Sequence, residues 1–276
     1  MKISYKDGGE FDLVYDEVKH TYMVDENKIP SVTRVIDSCF PKYLTDWAVK
    51  EGADFFIQSI EPYRKPDPAT LFLPYRVAEH IYEGILTASK AISEHAADIG
   101  NDVHNWIGEA IKYKLGQGEM PDMLEDEEAV NCINAFKKWA RDNNPEWIST
   151  EEKVYYDDDE NDPAKYSYAG TVDAVANVNG VICVLDFKTS KKIYKPYHLQ
   201  VAAYQLALRR IYGWKDSAKA IILRLDKETG EYQEKRFDPT GSIGTFFSCM
   251  DIRRWSSKRI PKVDWGFSEE TKGPDT

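Results

Sequence analysis

The sequence predicts an α/β fold in which a central mixed β-sheet is flanked by helices, with a helical N-terminal part added to it. Three observations lead to that class. Apolar residues recur with helical period over much of residues 31–142. The period changes to strand-like over 147–156, 167–178 and 181–189. A helical segment then opens at Pro196 and closes near Gly213, and two more strand-like segments follow it. Strand, crossing helix and strand in that order give a mixed sheet covered by helices.

The elements follow in order. Residues 10–28, EFDLVYDEVKHTYMVDENK, alternate and suggest a hairpin. Ser31 is placed to cap a helix running through Val35 and Ile36. A helical region continues to about Leu115, broken by the Pro-rich loop EPYRKPDPATLFLP. Val130, Ile133, Phe136 and Trp139 lie at helical spacing within 125–142. An acidic loop, YDDDENDPAKY, separates the first two later strands. AKAIILRLD and EYQEKRFD read as a further strand pair joined at Glu228–Gly230. Residues 241–256 form a last helix, and the tail after Pro261 looks weakly ordered. The expected division is an N-terminal hairpin and helical region over 1–120, a core over 121–262 and a tail over 263–276.

Composition narrows the function classes. A chain of 276 residues with 42% hydrophobic residues can bury a full core without staples. Its four cysteines, Cys39, Cys132, Cys183 and Cys249, are far apart and form no CxxC pair. They read as reduced thiols rather than a zinc or iron–sulfur site. No apolar run approaches the roughly 18 residues of a membrane span, and the first residues lack the apolar core of a leader. No membrane association and a cytoplasmic location are therefore expected. A net charge of -11 argues against coating nucleic acid by bulk attraction. It leaves room for a site whose acids hold cations.

The most informative segment is GTVDAVANVNGVICVLDFKTS, residues 170–190. Asn179-Gly180 between two strand patterns signals a two-residue hairpin turn, which requires positive φ at both positions. Val178 then pairs with Val181, and counting back sets Asp173 opposite Asp186. Facing side chains on paired strands stand about 4.5–5.5 Å apart at Cβ. Strict alternation puts Val172, Ala174, Ala176 and Val178 on one apolar face with Val181, Cys183, Leu185 and Phe187. Asp173, Asp186 and Lys188 fall on the other face. Two facing carboxylates are destabilising unless a cation compensates them. Lys188 alone can do so in a solvated hairpin. A divalent ion also can, and hard oxygen ligands suit Mg²⁺ or Mn²⁺.

Other residues are candidates for the same centre. Ala97, Gly100, His104, Ile107 and Ile111 share one helical face, which turns His104 toward the core. Gly100 inside a helix costs about 1 kcal/mol relative to Ala, and close approach of another backbone would explain it. Glu151 and Glu152 lie on the strand before the hairpin, and alternation does not choose between them. Gln200 and Tyr204, four apart on the next helix, are neighbours. Lys191, Lys192, Lys195, Arg209 and Arg210 form a basic stretch that can track a DNA backbone.

Together these residues resemble the PD-(D/E)XK nuclease superfamily, in particular its RecB-like exonuclease branch. The matching set runs in family order: Gly100-x-x-x-His104, the acid at Glu151 or Glu152, Gly170-x-x-Asp173, Asp186-x-Lys188 and Gln200-x-x-x-Tyr204. Upstream, HTYMVDENKIPSVTRVIDSCFPKYLTDWA is similar to the lead-in of phage-encoded exonucleases and of the mitochondrial genome-maintenance exonuclease. The family spacing E-x-x-V favours Glu151. The resemblance implies a restriction-endonuclease-like core and a metal-dependent deoxyribonuclease. His104, Asp173, Asp186 and the Phe187 carbonyl would hold Mg²⁺ or Mn²⁺. Lys188 would orient or help deprotonate the attacking water, with Glu151 in support. Gln200 and Tyr204, with Thr189, Ser190, Lys191 and Lys192, would position the DNA. The implied role is a phage-encoded exonuclease in recombination, repair or processing, with a recombinase or single-strand-binding protein as candidate partner. A structure-specific endonuclease and a non-catalytic DNA-binding protein are the alternatives.

Overall fold

The computed structural model describes residues 1–41, 45–63, 74–158, 166–215 and 218–258. The expected weakly ordered tail over 263–276, most of the Pro-rich loop and most of the acidic loop lie outside them. The chain begins with a four-stranded antiparallel sheet, β1 (Lys2–Ser4), β2 (Glu10–Asp16), β3 (Thr21–Val24) and β4 (Asn27–Ile29), paired in sequence order. The expected hairpin over 10–28 is β2 and β3, with one further strand on either side. Helices α1 (Val32–Asp37), α2 (Thr45–Ile60), α3 (Tyr75–Lys114) and α4 (Glu127–Asn143) follow. The main sheet is formed by β5 (Glu146–Tyr156), β6 (Tyr168–Val178), β7 (Val181–Lys188), β8 (Lys219–Leu225) and β9 (Tyr232–Phe237). Helix α5 (Pro196–Tyr212) connects β7 to β8, and α6 (Ile243–Ser257) closes the described chain.

Local chemistry sets these boundaries. The Ser31 hydroxyl accepts from the Arg34 amide at 3.2 Å and caps α1, and Asp126 caps α4 in the same way. Pro196 opens α5, and Gly213 ends it in a left-handed conformation, φ 65°. The main sheet has the order β5-β6-β7-β8-β9. Only β7 and β8 run parallel, as expected of two strands joined through a crossing helix.

Each face of this sheet has its own core. Helices α3 and α4 cover one face, with Ile107, Ile111, Ile133, Phe136 and Trp139 packed on Ala174, Ala176, Leu185, Phe187, Ile221 and Leu223. Helices α1, α5 and α6 cover the other, where Val201, Leu208 and Phe246 meet Tyr168, Val175, Val184 and Ile222. Residues 99–111 of α3 therefore belong to the same core as α4 and the sheet. The N-terminal sheet packs Ile3, Tyr5, Leu13 and Tyr22 against Tyr155 and Ala169 at one end of β5 and β6.

Candidate active site

The turn between β6 and β7 fixes the site. Asn179 and Gly180 have φ of 54° and 83°, and Val178 pairs with Val181 as the sequence predicts. The ladder runs regularly from Val178–Val181 back to Ala174–Leu185 and stops there, and the side chain of Asp173, the next residue, is held against β7 by the Phe187 amide. Strict alternation fails at that step. Val172 packs in the core beneath α5, whereas Ala174 packs beneath α3 and α4. The expectation that Val172 shares a face with Ala174 is therefore corrected. The cause is local: side chains replace the regular pairing around Asp173. The Thr150 hydroxyl donates to the Asp173 carbonyl at 2.8 Å, and the Phe187 amide donates to Asp173 Oδ2 at 2.7 Å.

The neighbouring strand is irregular at the same level. Trp147 pairs with Ala176 but Ser149 with Val175, so a bulge lies at Ile148. Beyond it Thr150 pairs with Ala174 and Glu152 with Val172, which sets Glu151 opposite Asp173. Without the bulge Glu151 would face Val172. Glu151 itself has φ 50°, a left-handed conformation rare for a residue with a side chain. Glu152 turns elsewhere, to the hydroxyls of Ser149 and Tyr212. Of the two acids that alternation left open, Glu151 is the one set opposite Asp173.

Helix α3 closes the group from above. His104 Nδ1 stands 3.5 Å from Asp173 Oδ1, with the His104 side chain 28% exposed. The glycine that lets the helix approach is not Gly100, where an added Cβ would meet only the Thr189 hydroxyl, at 3.4 Å. It is Gly108, where a Cβ would press on Glu151 Cγ at 3.1 Å. On β7, Lys188 Nζ donates to Asp186 Oδ1 at 2.7 Å and lies 4.9 Å from the centre of the Tyr197 ring. Asp186 is 0% exposed, and its Oδ2 has no hydrogen-bond partner among the described residues.

The protonation preferences follow from burial and from these contacts. Burial raises Asp186 to about 6 against the pull of Lys188, and the nearby Asp173 adds to the rise. Burial also raises Asp173, but His104, Lys188 and the Phe187 amide outweigh it and hold that carboxyl below its ordinary range. Burial lowers His104, yet Asp173 more than reverses this and raises it. Lys188 is likewise raised by Asp186 and Asp173 against burial. Burial, then Asp173, raises Glu151. Two carboxyls side by side with opposite shifts are a feature of reactive sites.

The remaining sequence candidates divide. Tyr204 is 4% exposed, its hydroxyl accepts from Gln200 Nε2 at 3.2 Å, and its ring lies on Gly170, where a Cβ would stand 2.5 Å away. This pair therefore props the strand that carries Asp173. Thr189 sits beneath α3. Ser190 is locked into its loop, its hydroxyl donating to the Lys192 carbonyl at 2.9 Å and its carbonyl accepting from Arg224 at 2.7 Å. Lys191 and Lys192 are exposed. Four contributors were missed by the sequence reading: Thr150, Arg224, Tyr197 and Tyr22, whose hydroxyl meets the Thr171 hydroxyl at 2.8 Å. Arg224 pairs with Lys188 across the parallel strands, and only the register reveals that.

An Asp–x–Lys pair buried beside a second aspartate, with a helix-borne histidine and a strand acid converging on it, is the decisive arrangement. A family model described as the PD-(D/E)XK nuclease superfamily matches residues 77–242, more than half of the chain. The chain belongs to this superfamily. Among solved structures, the crystal structure of SSO0001 is similar at 14% identity, covering 79% of this chain and 89% of that one, with a TM-score of 0.35. No curated protein matches. PD-(D/E)XK enzymes are nucleases that use divalent metals such as Mg²⁺. Among the described residues no three His, Cys, Asp or Glu side chains form a ready coordination sphere, and Lys188 and the Phe187 amide each hold one carboxylate oxygen. The chemistry still fits such an ion. Asp186 Oδ2 is buried without a partner, and the nearby donors are hard oxygens and one imidazole. No helix among the described residues is long and apolar enough to cross a membrane.

Proposed function

We propose that this PD-(D/E)XK protein is a metal-dependent DNA exonuclease whose reacting centre is formed by Asp173, Asp186 and Lys188. The observation that carries the reading is the buried Asp186, with one oxygen on the Lys188 ammonium and the other unpaired. An unpaired buried acceptor costs about 1–3 kcal/mol, more when charged, and a bound cation held by these carboxylates would relieve that cost. His104, Asp173, Asp186 and the Phe187 carbonyl would hold Mg²⁺ or Mn²⁺, which lowers the pKa of water and offsets charge on the phosphoryl group.

The protein's own groups do the rest. Lys188, kept protonated by its two aspartates, orients the attacking water. Glu151, which burial makes a readier proton carrier than an ordinary glutamate, supports that water from the facing strand. Lys191, Lys192, Thr189 and Ser190 meet the DNA backbone on the loop after β7. Gln200 and Tyr204 position the DNA strand, acting from beneath through the contact of the Tyr204 ring with Gly170 on the β-strand that carries Asp173. The exonuclease assignment rests on the ordered set shared with the RecB-like branch. It carries with it a phage-encoded, cytoplasmic role in recombination, repair or processing, alongside a recombinase or single-strand-binding protein.

The test is end-labelled DNA with Mg²⁺, both single-stranded and duplex, beside covalently closed circles. Release of nucleotides from ends with circles intact is expected, and Lys188→Ala should abolish it while keeping the far-UV spectrum. Cut circles would make the protein an endonuclease. Uncut DNA of every form, with no Mn²⁺ binding by calorimetry, would leave only a DNA-binding role.

A further inference from the structure

Two aromatic rings lie next to the Asp186–Lys188 pair in sequence and in contact with each other, Tyr197 against Lys188 and Tyr194 against Tyr197. Tyr194 is 40% exposed and meets the ring of Tyr197 edge-on, centres 5.7 Å apart at 85°. Lys188 Nζ lies over the Tyr197 ring and Lys192 Nζ lies 5.2 Å from the centre of the Tyr194 ring. The loop that carries Lys192 and Tyr194 is held in place. Arg224, itself fixed by Asp226 at 2.8 Å, bonds the Ser190 carbonyl. Ile193 packs into the core beneath α5, and the Lys195 carbonyl bonds His198 Nδ1 at 3.2 Å. An exposed ring on such a loop costs little further ordering when a ligand covers it.

We propose that Tyr194, backed by Tyr197, is a stacking platform for an unpaired base next to the scissile phosphate, so that the site takes DNA as a single strand. This rests on the nuclease reading of the same site. Three physical points favour it. The protein carries a net charge of -11, so bulk attraction for phosphates is unfavourable and affinity must come from local contacts. Lys191, Lys192 and Lys195 are exposed on this loop and supply the local cations, which leaves stacking to supply the rest. Bases inside a duplex stack on one another on both sides and offer no free face, whereas every base of an unpaired strand can offer one. Tyr197 couples the two functions, because the ring that supports Tyr194 also supports the ammonium on Asp186.

The experiment measures binding by fluorescence anisotropy in EDTA at fixed salt, so that cleavage plays no part. The probes are a single-stranded oligonucleotide, a fully abasic strand of the same length, and a blunt duplex. Tyr194→Ala should weaken the single strand about tenfold or more, leave the abasic strand and the duplex unchanged, and be rescued by Tyr194→Trp. Unchanged single-strand binding overturns the proposal. So does an equal loss on all three probes, which reports a distorted loop. So does a wild-type protein that binds no single strand. A wild-type protein that binds the single strand in this Tyr194-dependent way but cleaves nothing in Mg²⁺ would sink the nuclease reading and leave the platform standing.

Discussion

The two ends of the β6–β7 hairpin are built by opposite rules. At the turn end, from Ala174–Leu185 to Val178–Val181, every residue pairs in register and the α3/α4 face is apolar. At the other end Asp173 leaves the ladder, Glu151 opposite it is left-handed, and buried charges face one another. The first end contributes burial and regular hydrogen bonds, which stabilise the sheet. The second contains what a stable sheet avoids: like charges side by side and an unpaired carboxylate oxygen. The difference teaches that stability and chemistry have been separated along one pair of strands, a few residues apart.

The largest effect expected from this separation is on cleavage. Asp186→Asn keeps an acceptor for Lys188 but removes the charge, so kcat/KM should fall by about a hundredfold or more. The melting temperature at pH 7 should hold or rise, because a buried ionised group with an unpaired oxygen is gone. An active variant, or one that unfolds readily, would break the contrast. The same variant isolates a pH effect. The folded Asp186 keeps its proton to about pH 6, while the unfolded one releases it near 3.8. Between those values the folded state binds more protons, so unfolding free energy falls as pH rises through that window and levels off above it. Of the neighbours, depressed Asp173 acts below 3.8 and raised His104 and Lys188 act above their ordinary values of 6.5 and 10.5, whereas Glu151, raised above its ordinary 4.5, adds a fall of the same sign within this window. Urea titrations of the metal-free protein from pH 4 to 7 should show a fall that is larger in the wild type than in Asp186→Asn by roughly 2–3 kcal/mol, at 1.36 kcal/mol per unit, the remainder in the variant coming from Glu151.

A smaller effect is expected where the irregular end meets α5. Gly170→Ala puts a methyl 2.5 Å from Tyr204 Cε1. Overpacking of this kind costs about 1–3 kcal/mol, and it should also lower activity by shifting the strand of Asp173. Tyr204→Leu on top should restore part of the stability, measured by urea unfolding. No coupling between the two changes would mean that the ring does not support the strand.

How much was legible follows the same division. The turn with its Val178–Val181 pair, the α5 limits and the placing of His104 beside Asp173 follow from periods and turn chemistry, which are local. The bulge at Ile148 and the break at Asp173 were not legible, because alternation assumes an unbroken ladder and nothing in EWISTEEK marks the extra residue. Arg224 was missed because a parallel register depends on a crossing helix rather than on a turn. The outer strands of the N-terminal sheet, three residues each, are too short to show a period. Gly108 was overlooked in favour of Gly100, since sequence shows a glycine in a helix but not what crosses it.

The smallest expected effect tests the regular end alone. At Gly180 an added Cβ would meet nothing within 4 Å, yet φ is 83°. Gly180→Ala therefore changes no contact and acts only through backbone conformation, at about 1–2 kcal/mol. Stability should fall by that amount in urea, while kcat/KM of the folded enzyme stays at the wild-type value. The ladder between the turn and Ala174 holds the register, so a strained turn loosens the strand ends near it before it moves Asp173. A drop in kcat/KM as large as that of Gly170→Ala would mean that the turn positions the carboxylates directly, and that the two ends are not separable.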